Sequence, residues 1–249
     1  MFRRNAIITG ASTGIGAACA RRLVRAGFHV TGVARRGDKL ARIAAELAGA
    51  EGAFFPVALD VTEARATEQI IDAARAAAGA EPDVFVINAG RGLRGTVLGS
   101  DASLWAEVFE LNCLAALQQM RAAAMHMRAM GSVRVRDIVV LGSVVGRNVS
   151  PVNPVYGATK FALHSAAEAL RQEVAGDRIR VTLIEPGIVR TEFQRTARYE
   201  MDGFDANEEK YGPYLGADDI ASVVVFALNQ PEHVSISNLI IRPTRQTTP

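Results

Sequence analysis

Strand-length apolar runs alternate with helix-length amphipathic stretches along almost the whole chain, and that alternation leaves few folds open. Ala6-Ile7-Ile8 is the first run, Phe28 to Val33 the second, Phe54 to Leu59 the third and Asp83 to Ile87 the fourth. Between them lie helical patterns that begin near Gly14, span Asp38 to Leu47 and span about Glu63 to Ala78. A long helix is predicted over roughly Ser103 to Met130, with Leu104, Val108, Leu111 and Leu114 as a buried stripe. A β-branched strand follows from Asp137 to Leu141, then a helix with Leu163, Ala167, Leu170 and Val174 on one face. Arg180 to Ile184 reads as a strand, Ala217 to Leu228 as a helix and Asn238 to Ile241 as a last short strand. Antiparallel neighbours can be joined by tight turns, whereas parallel strands need crossovers of helix length. The reading is α/β: a doubly wound parallel sheet of about seven strands with helices on both faces.

A length of 249 residues suits one α/β domain over 1–249, and no internal repeat or low-complexity linker divides it. Hydrophobic residues at 49% and charged residues at 22% are ordinary for a soluble chain. The apolar runs fall far short of the ~20 residues of a membrane span. The stretch from Met1 to Asn5 leads almost directly into the first strand and lacks the apolar region and cleavage site of a signal peptide. A cytoplasmic soluble protein is expected. A net charge of +2 without a run of like charges gives no support for a nucleic-acid or membrane partner. Cys19 and Cys113 fall in helical patterns without Cys or His neighbours at ligand spacing, which predicts a reducing compartment, no disulfide framework and no metal site. The stretch from about 190 to 216 breaks every periodicity and is expected to be a substrate loop, with room for a helix or two.

Thr9-Gly10-Ala11-Ser12-Thr13-Gly14-Ile15-Gly16 sits after the first strand and opens the first helix, the context that a dinucleotide fingerprint requires. Gly10 permits a tight turn, Gly14 lets a pyrophosphate approach the backbone, and Gly16 lets helix and strand pack closely. The helix start supplies N–H groups and partial positive charge to the phosphates. The spacing G-x-x-x-G-x-G differs from the commoner G-x-G-x-x-G, and the same residues also suit an ordinary glycine-rich turn. At the end of the second strand, an NAD site usually offers a carboxylate to the ribose. Here the chain reads Val33-Ala34-Arg35-Arg36, and two guanidiniums suit a 2′-phosphate, so NADP(H) is the expected cofactor. Asp38 is read as the cap of the following helix. Asp60-Val61 and Asn88-Ala89-Gly90 end the third and fourth strands, where open α/β sheets bind ligands, although these residue types are also common in turns.

Tyr156 and Lys160 stand one helical turn apart, so both side chains leave the same face, with Ser143 thirteen residues upstream of the tyrosine. A phenol with a pKa near ~10 is a poor base at neutral pH, but a neighbouring ammonium favours its phenolate. Lys39, Lys160 and Lys210 are the only lysines among 28 basic residues. The plainer alternative is a helix start, a solvated lysine and a serine that merely follows a strand.

Taken together, these residues resemble the short-chain dehydrogenase/reductase family over nearly the whole chain. The resemblance is carried by Thr9-Gly10-x-x-x-Gly14-Ile15-Gly16, Asp60-Val61, Asn88-Ala89-Gly90, Asn112, Ser143, Tyr156-x-x-x-Lys160 and Pro186-Gly187-Ile188-Val189-x-Thr191. It implies a Rossmann-like fold in which Asp60 binds the adenine region and Asn88 supports the cofactor wall. Asn112 would hold a water in a proton relay, Ser143 would orient the substrate oxygen and Tyr156 would be the acid or base. Lys160 would bind the nicotinamide ribose and tune Tyr156, and Pro186 to Thr191 would flank the nicotinamide. The family often has Asn where this chain has Ile87. A narrower similarity, in Ile184 to Phe193 and in the tail from Pro231 to Gln246, is to NADP-dependent reductases that include 3-hydroxy acid dehydrogenases and the clavulanic acid dehydrogenase.

The expected reaction is hydride transfer between NADP(H) and a carbonyl or secondary alcohol. Arg91, Arg94, Arg190 and Arg195 suit the carboxylate of a 3-hydroxy or 3-oxo acid, whereas Tyr199, Phe204, Tyr211 and Tyr214 suit a bulkier ketone or aldehyde. A non-catalytic dinucleotide-binding sensor or scaffold is the rival class. Ala158, Ala162, Ala166 and Ala169 either let the Tyr156 helix pack on the sheet or admit a second subunit, and the resemblance implies a homo-oligomer, a tetramer or dimer.

Overall fold

In the computed structural model, which describes residues 3–131 and 133–247, the apolar runs pair as strands. They are β1 (Asn5–Thr9), β2 (His29–Ala34), β3 (Ala53–Ala58), β4 (Val84–Ile87), β5 (Arg136–Leu141), β6 (Ile179–Pro186), β7 (Val189–Arg190), β8 (Leu215–Gly216) and β9 (Asn238–Ile241). Seven form one sheet in the order β3-β2-β1-β4-β5-β6-β9, every pair parallel. The first two residues of the N-terminal stretch, Met1 and Phe2, lie outside the described residues. The chain runs outward from β1 to β3 and then returns to β4 on the other side, so the strand order reverses beside β1. Crossovers on either side of such a reversal leave opposite faces of the sheet and open a crevice above the strand ends.

The helices are α1 (Gly14–Arg25), α2 (Gly37–Glu46), α3 (Ala66–Ala78), α4 (Trp105–Phe109), α5 (Ala115–Ala129), α6 (Pro154–Val174), α7 (Phe193–Thr196), α8 (Met201–Tyr211) and α9 (Ala217–Leu228). One core lies under α1, α2 and α9, with Ile8, Leu23, Leu40 and Ile220 inside it. The other lies under α3, α5 and α6, with Ile7, Ile70, Met127 and Leu163. Each such side chain contributes roughly 1.5–3 kcal/mol relative to exposure. β1, β4, β5 and β6 are buried along their whole length, which is why their sequences run apolar without alternation. β3 is an edge strand, where its Pro56 is tolerated.

Three expectations change. The helix expected over Ser103 to Met130 is composite: a 3₁₀ turn at Ala102–Leu104, then α4, a π-turn at Glu110–Leu114 and α5. The π-turn inserts an extra residue and rotates the helix face, so Val108 is buried while Leu114 is exposed. Below it the buried positions include Ala116, Met120, Ala123 and Met127. Secondly, the 190–216 stretch, which holds two helices as it had room to, α7 and α8, is also closed at its base by a strand pair that no pattern predicts, β7 with β8 (Val189 to Leu215, Arg190 to Gly216). Thirdly, Asp38 is not a cap: Arg36 is the N-cap residue of α2 and Asp38 lies inside its first turn, where it still favours the helix dipole.

At the N-terminal ends of the strands, buried charges tie the sheet together. Asp83 accepts from the Asn5 backbone at 2.8 Å, and Arg4 reaches Asp83 at 3.2 Å and Asp137 at 2.8 Å. Arg180 clasps Asp137 through Nε at 2.7 Å and Nη2 at 3.1 Å, and its remaining hydrogens go to the carbonyls of Leu228, Gln230, Pro231 and Val234. Removing one partner of a buried pair leaves a charge and several carbonyls unanswered. Arg180→Ala is therefore expected to lower unfolding free energy by about 3 kcal/mol in urea titration.

Candidate active site

The glycine turn lies in the crevice between β1 and β4. Gly10 and Gly14 both have left-handed backbones, at φ +69° and +55°, which a residue with Cβ adopts only under strain. Gly16 has no such need. A Cβ there would come within 2.4 Å of the Gly10 carbonyl oxygen and 2.6 Å of Asn88 Nδ2, so its role is close packing. Asn88 Nδ2 donates to the Thr9 carbonyl at 2.9 Å and the Gly10 carbonyl at 3.3 Å, while Thr9 Oγ1 accepts from the backbones of Asn88 and Ala89. α1 starts at this turn with no acidic residue in its first turn and no side-chain cap, so its N–H groups and positive dipole end meet the cleft without a local anion.

Arg36 crosses from the end of β2 to this turn, with Nη2 donating to Thr13 Oγ1 at 2.9 Å and Ser12 Oγ at 3.2 Å. Its Nη1 meets Glu192 Oε2 at 3.2 Å, and Lys39 Nζ lies 2.8 Å from Glu192 Oε1. These two cations hold the Glu192 carboxyl below the usual range, with the Lys39 hydrogen bond the largest cause. Arg35 lies 3.5 Å from Asp60. Burial pushes the Asp60 carboxyl up, but bonds from the Thr62 backbone and hydroxyl and the nearby Arg35 bring it below its ordinary value. Val61 turns into the core.

Across the cleft, β5 ends at Leu141 and α6 runs past it. Burial dominates both of the α6 side chains expected to do chemistry. Lys160 Nζ donates to the Leu141 carbonyl at 2.7 Å, and burial pushes its ammonium down to about 8. Burial pushes the Tyr156 phenol up, a hydrogen bond with Ser143 pulls it partly back, and nearby Tyr199 pushes it further up. The Lys160 ammonium lies 5.8 Å from the tyrosine ring centre. Burial is the largest influence on the Tyr156 phenol. Ser143 caps a 3₁₀ turn at Val144–Gly146. Asn112 sits in the π-turn, where Oδ1 accepts from the Arg91 backbone at 2.9 Å and Nδ2 donates to the Arg91 carbonyl at 2.7 Å and Thr159 Oγ1 at 3.3 Å. Both amide hydrogens are used, which leaves one lone pair of Oδ1 for the expected relay water.

The segment after β6 covers the cleft. Pro186, Gly187, Ile188, Val189 and Thr191 line it, as does Gly90, and the whole space measures about 1470 Å³. Of the four arginines expected near a substrate, three have acidic partners. Arg190 bonds Asp205 and Glu208 while stacking over Phe204 and Tyr214, Arg91 pairs with Glu107, and Arg94 pairs with Glu200 over the Tyr199 ring. Arg195 lines the cleft without a carboxylate partner among the described residues. Tyr214 donates to the Phe204 carbonyl at 2.9 Å and both rings are buried, so they form the core of this cover.

The short chain dehydrogenase profile matches residues 4–202. The chain belongs to that family. The mouse (Mus musculus) Dehydrogenase/reductase SDR family member 11 is 34% identical over 251 residues, spanning 98% of this chain and 96% of the relative. Serine 3-dehydrogenase of Agrobacterium fabrum is 34% identical over 244 residues, spanning 97% of this chain and 94% of the relative. Among solved structures, an alcohol dehydrogenase from the archaeon Thermococcus sibiricus complexed with 5-hydroxy-NADP superposes with a TM-score of 0.86 at 28% identity, covering 100% of both chains. The protein is thus an oxidoreductase of a family that binds a nicotinamide cofactor.

Sequence reasoning missed several residues that shape the dehydrogenase site. Asn153 donates to Tyr199 Oη at 3.0 Å, and Phe193 packs edge-on against Tyr156 at 5.5 Å. Glu192 meets Arg36 only through folding, since 156 positions separate them. No helix among the described residues is long and apolar enough to cross a membrane. Gly16→Ala pushes a methyl into the Gly10 carbonyl and displaces the glycine turn. The affinity for a reduced nicotinamide dinucleotide is expected to fall at least about tenfold, or about 1.4 kcal/mol, by fluorescence titration.

Proposed function

We propose that the chain is an NADP(H)-dependent reductase of a carbonyl compound, running reversibly with the corresponding secondary alcohol, as a single unit over 1–249 with 190–216 as its substrate cover. What carries the reading is the convergence of Ser143, Tyr156 and Lys160 on one wall of the cleft that the glycine turn opens into. A dinucleotide fits the residues present. Gly10 to Gly16 offer free backbone to a pyrophosphate, with Ser12, Thr13 and Ile15 beside it, and Asp60, Val61, Asn88, Ala89 and Gly90 wall the adenosine side. Pro186 to Val189 and Thr191 flank the nicotinamide side. Arg36, already bonded to two turn hydroxyls, and Arg35 receive a 2′-phosphate. The 5-hydroxy-NADP carried by the archaeal relative agrees with that choice.

When bound, NADPH supplies the hydride that the carbonyl carbon accepts. Tyr156 donates its proton to the carbonyl oxygen as the general acid of the reductive direction. Ser143 hydrogen-bonds the same oxygen and holds it against the tyrosine. Lys160, fixed to the Leu141 carbonyl, contributes its remaining hydrogens to the cofactor ribose. Asn112 anchors the π-turn under this wall and keeps one acceptor position for a relay water. A carboxylate-bearing substrate, a 3-oxo or 3-hydroxy acid, fits Arg195, and the serine 3-dehydrogenase relative supports the same class. Val149 and Val152, both exposed and lining the cleft, favour a bulkier ketone as the second reading. The exposed Phe161 and the small residues of α6 support a homo-oligomer, a dimer or tetramer.

NADPH oxidation across β-keto acids, aldehydes, diketones and cyclic ketones tests the substrate class. Tyr156→Phe is expected to lose at least ~10²-fold in kcat on any hit with NADPH affinity nearly unchanged, and retention of most turnover would refute the assignment. The cofactor is tested by kcat/KM. NADPH is expected to exceed NADH, and Arg36→Ala is expected to narrow the difference by at least about tenfold. NADH used as efficiently as NADPH by the wild-type protein would count against NADP(H).

A further inference from the structure

A histidine with no role in the proposed chemistry stands directly behind the serine that has one. The last ladder bond at the end of β5 runs from the Gly142 backbone to the Ile184 carbonyl at 2.8 Å. The next N–H, that of Ser143, has no strand to bond and donates instead to His164 Nε2 at 3.2 Å. An imidazole that accepts at Nε2 while neutral carries its hydrogen on Nδ1. His164 Nδ1 lies 3.7 Å from Glu185 Oε2. Glu185 is fully buried, and Arg147 answers its charge with bonds of 2.9 and 2.6 Å. Glu185 is thus the carboxylate beside that nitrogen, and Arg147, just past the serine turn, holds the carboxylate in place.

The glycines around Ser143 complete the fit. A Cβ on Gly142 would come within 2.4 Å of the His164 ring, and one on Gly146 within 2.5 Å. Neither glycine has positive φ, so the space they leave for the imidazole, not backbone freedom, explains them. On α6 the spacing of Tyr156, Lys160 and His164 is four residues each time, which puts all three on one side of one helix.

We propose that His164 is a positioning residue: it anchors the Ser143 turn to the helix that carries Tyr156, so that one rigid element sets the distance between serine hydroxyl and phenol. This inference rests on the roles proposed above for Ser143 and Tyr156. The groups facing His164 are Glu185, Lys160 and Arg147. Burial is the largest influence and pushes the imidazole down to about 4, against the upward pull of Glu185, so the ring stays neutral and keeps its acceptor at working pH. The groups facing Tyr156 are Ser143, Tyr199 and Lys160, and the Ser143 hydrogen bond lowers the phenol. A serine that drifts lets the Tyr156 pKa rise.

The test compares the wild-type protein with His164→Leu, which removes the acceptor, and His164→Gln, whose amide oxygen can accept near the position of Nε2. His164→Leu is expected to lower kcat about ten- to a hundredfold with NADPH affinity within about twofold. Its alcohol-oxidation profile is expected to move to higher pH, because the phenolate then forms less readily, and His164→Gln is expected to restore both kcat and profile. Wild-type kcat and pH profile in His164→Leu would overturn the proposal, as would a loss that Gln does not restore with the profile unmoved, since that is the mark of a merely structural role. Independently of any variant's folding, the Ser143 amide of the wild-type protein is expected to resist hydrogen exchange measured by NMR. Exchange as fast as in an exposed loop would also overturn it. Tyr156→Phe separates the two readings: turnover retained there refutes the site assignment itself, whereas a dead Tyr156→Phe beside a fully active His164→Leu refutes only the role of His164.

Discussion

The structure depends on how closely three pieces of backbone approach beneath the glycine turn. The first turn of α1 lies against the end of β1, and the end of β4 is drawn onto both by Asn88, whose amide bonds the Thr9 and Gly10 carbonyls. No side chain fits at Gly16, where a Cβ would fall 2.4 Å from a carbonyl oxygen. The approach has a functional result. It leaves a helix N-terminus pointing into the crevice at the strand-order reversal, with no acidic side chain of its own first turn to neutralise it.

The two ends of the sheet handle charge differently. At the N-terminal ends, Arg4, Asp83, Asp137 and Arg180 satisfy one another and the neighbouring carbonyls, which is what buried charges require if they are not to destabilise the fold. At the C-terminal ends, burial acts on groups left available for a ligand. It raises the Tyr156 phenol and lowers the Lys160 ammonium, so each is moved toward its neutral form. The cover over the cleft is held by surface charge pairs, including Arg190 with Asp205 and Glu208, and by the pair that Glu192 makes with Arg36 and Lys39. Such exposed pairs are individually weak.

Much of this was legible in the sequence because it rests on local rules. The alternation of strand and helix lengths implied a parallel sheet, and all seven predicted strands lie in it. The glycine turn could be read because its residues are contiguous and each glycine answers a nearby steric demand. Tyr156 and Lys160 could be paired because a helix puts positions four apart on one face. The π-turn could not be read, since Asn112 is held there by the backbone of Arg91, a contact between distant segments that periodicity does not record. The same limit explains why the N-cap of α2 falls on Arg36 rather than on Asp38 and why the bounds of the helices in 190–216, marked by few apolar residues in register, and the pairing of β7 with β8 are not legible in the sequence.

The sequence by itself determined the fold class, the position of the glycine turn and the pairing of Tyr156 with Lys160 on one helix face, because each depends on spacing within a few residues or on the order of secondary structure. Tertiary structure alone decided what surrounds them. It brought His164 behind Ser143, Glu185 and Arg147 behind His164, and Glu192 against Arg36. It also buried the Tyr156 phenol, because desolvation is a property of the packed environment and cannot be read from the distance between two residues along a helix.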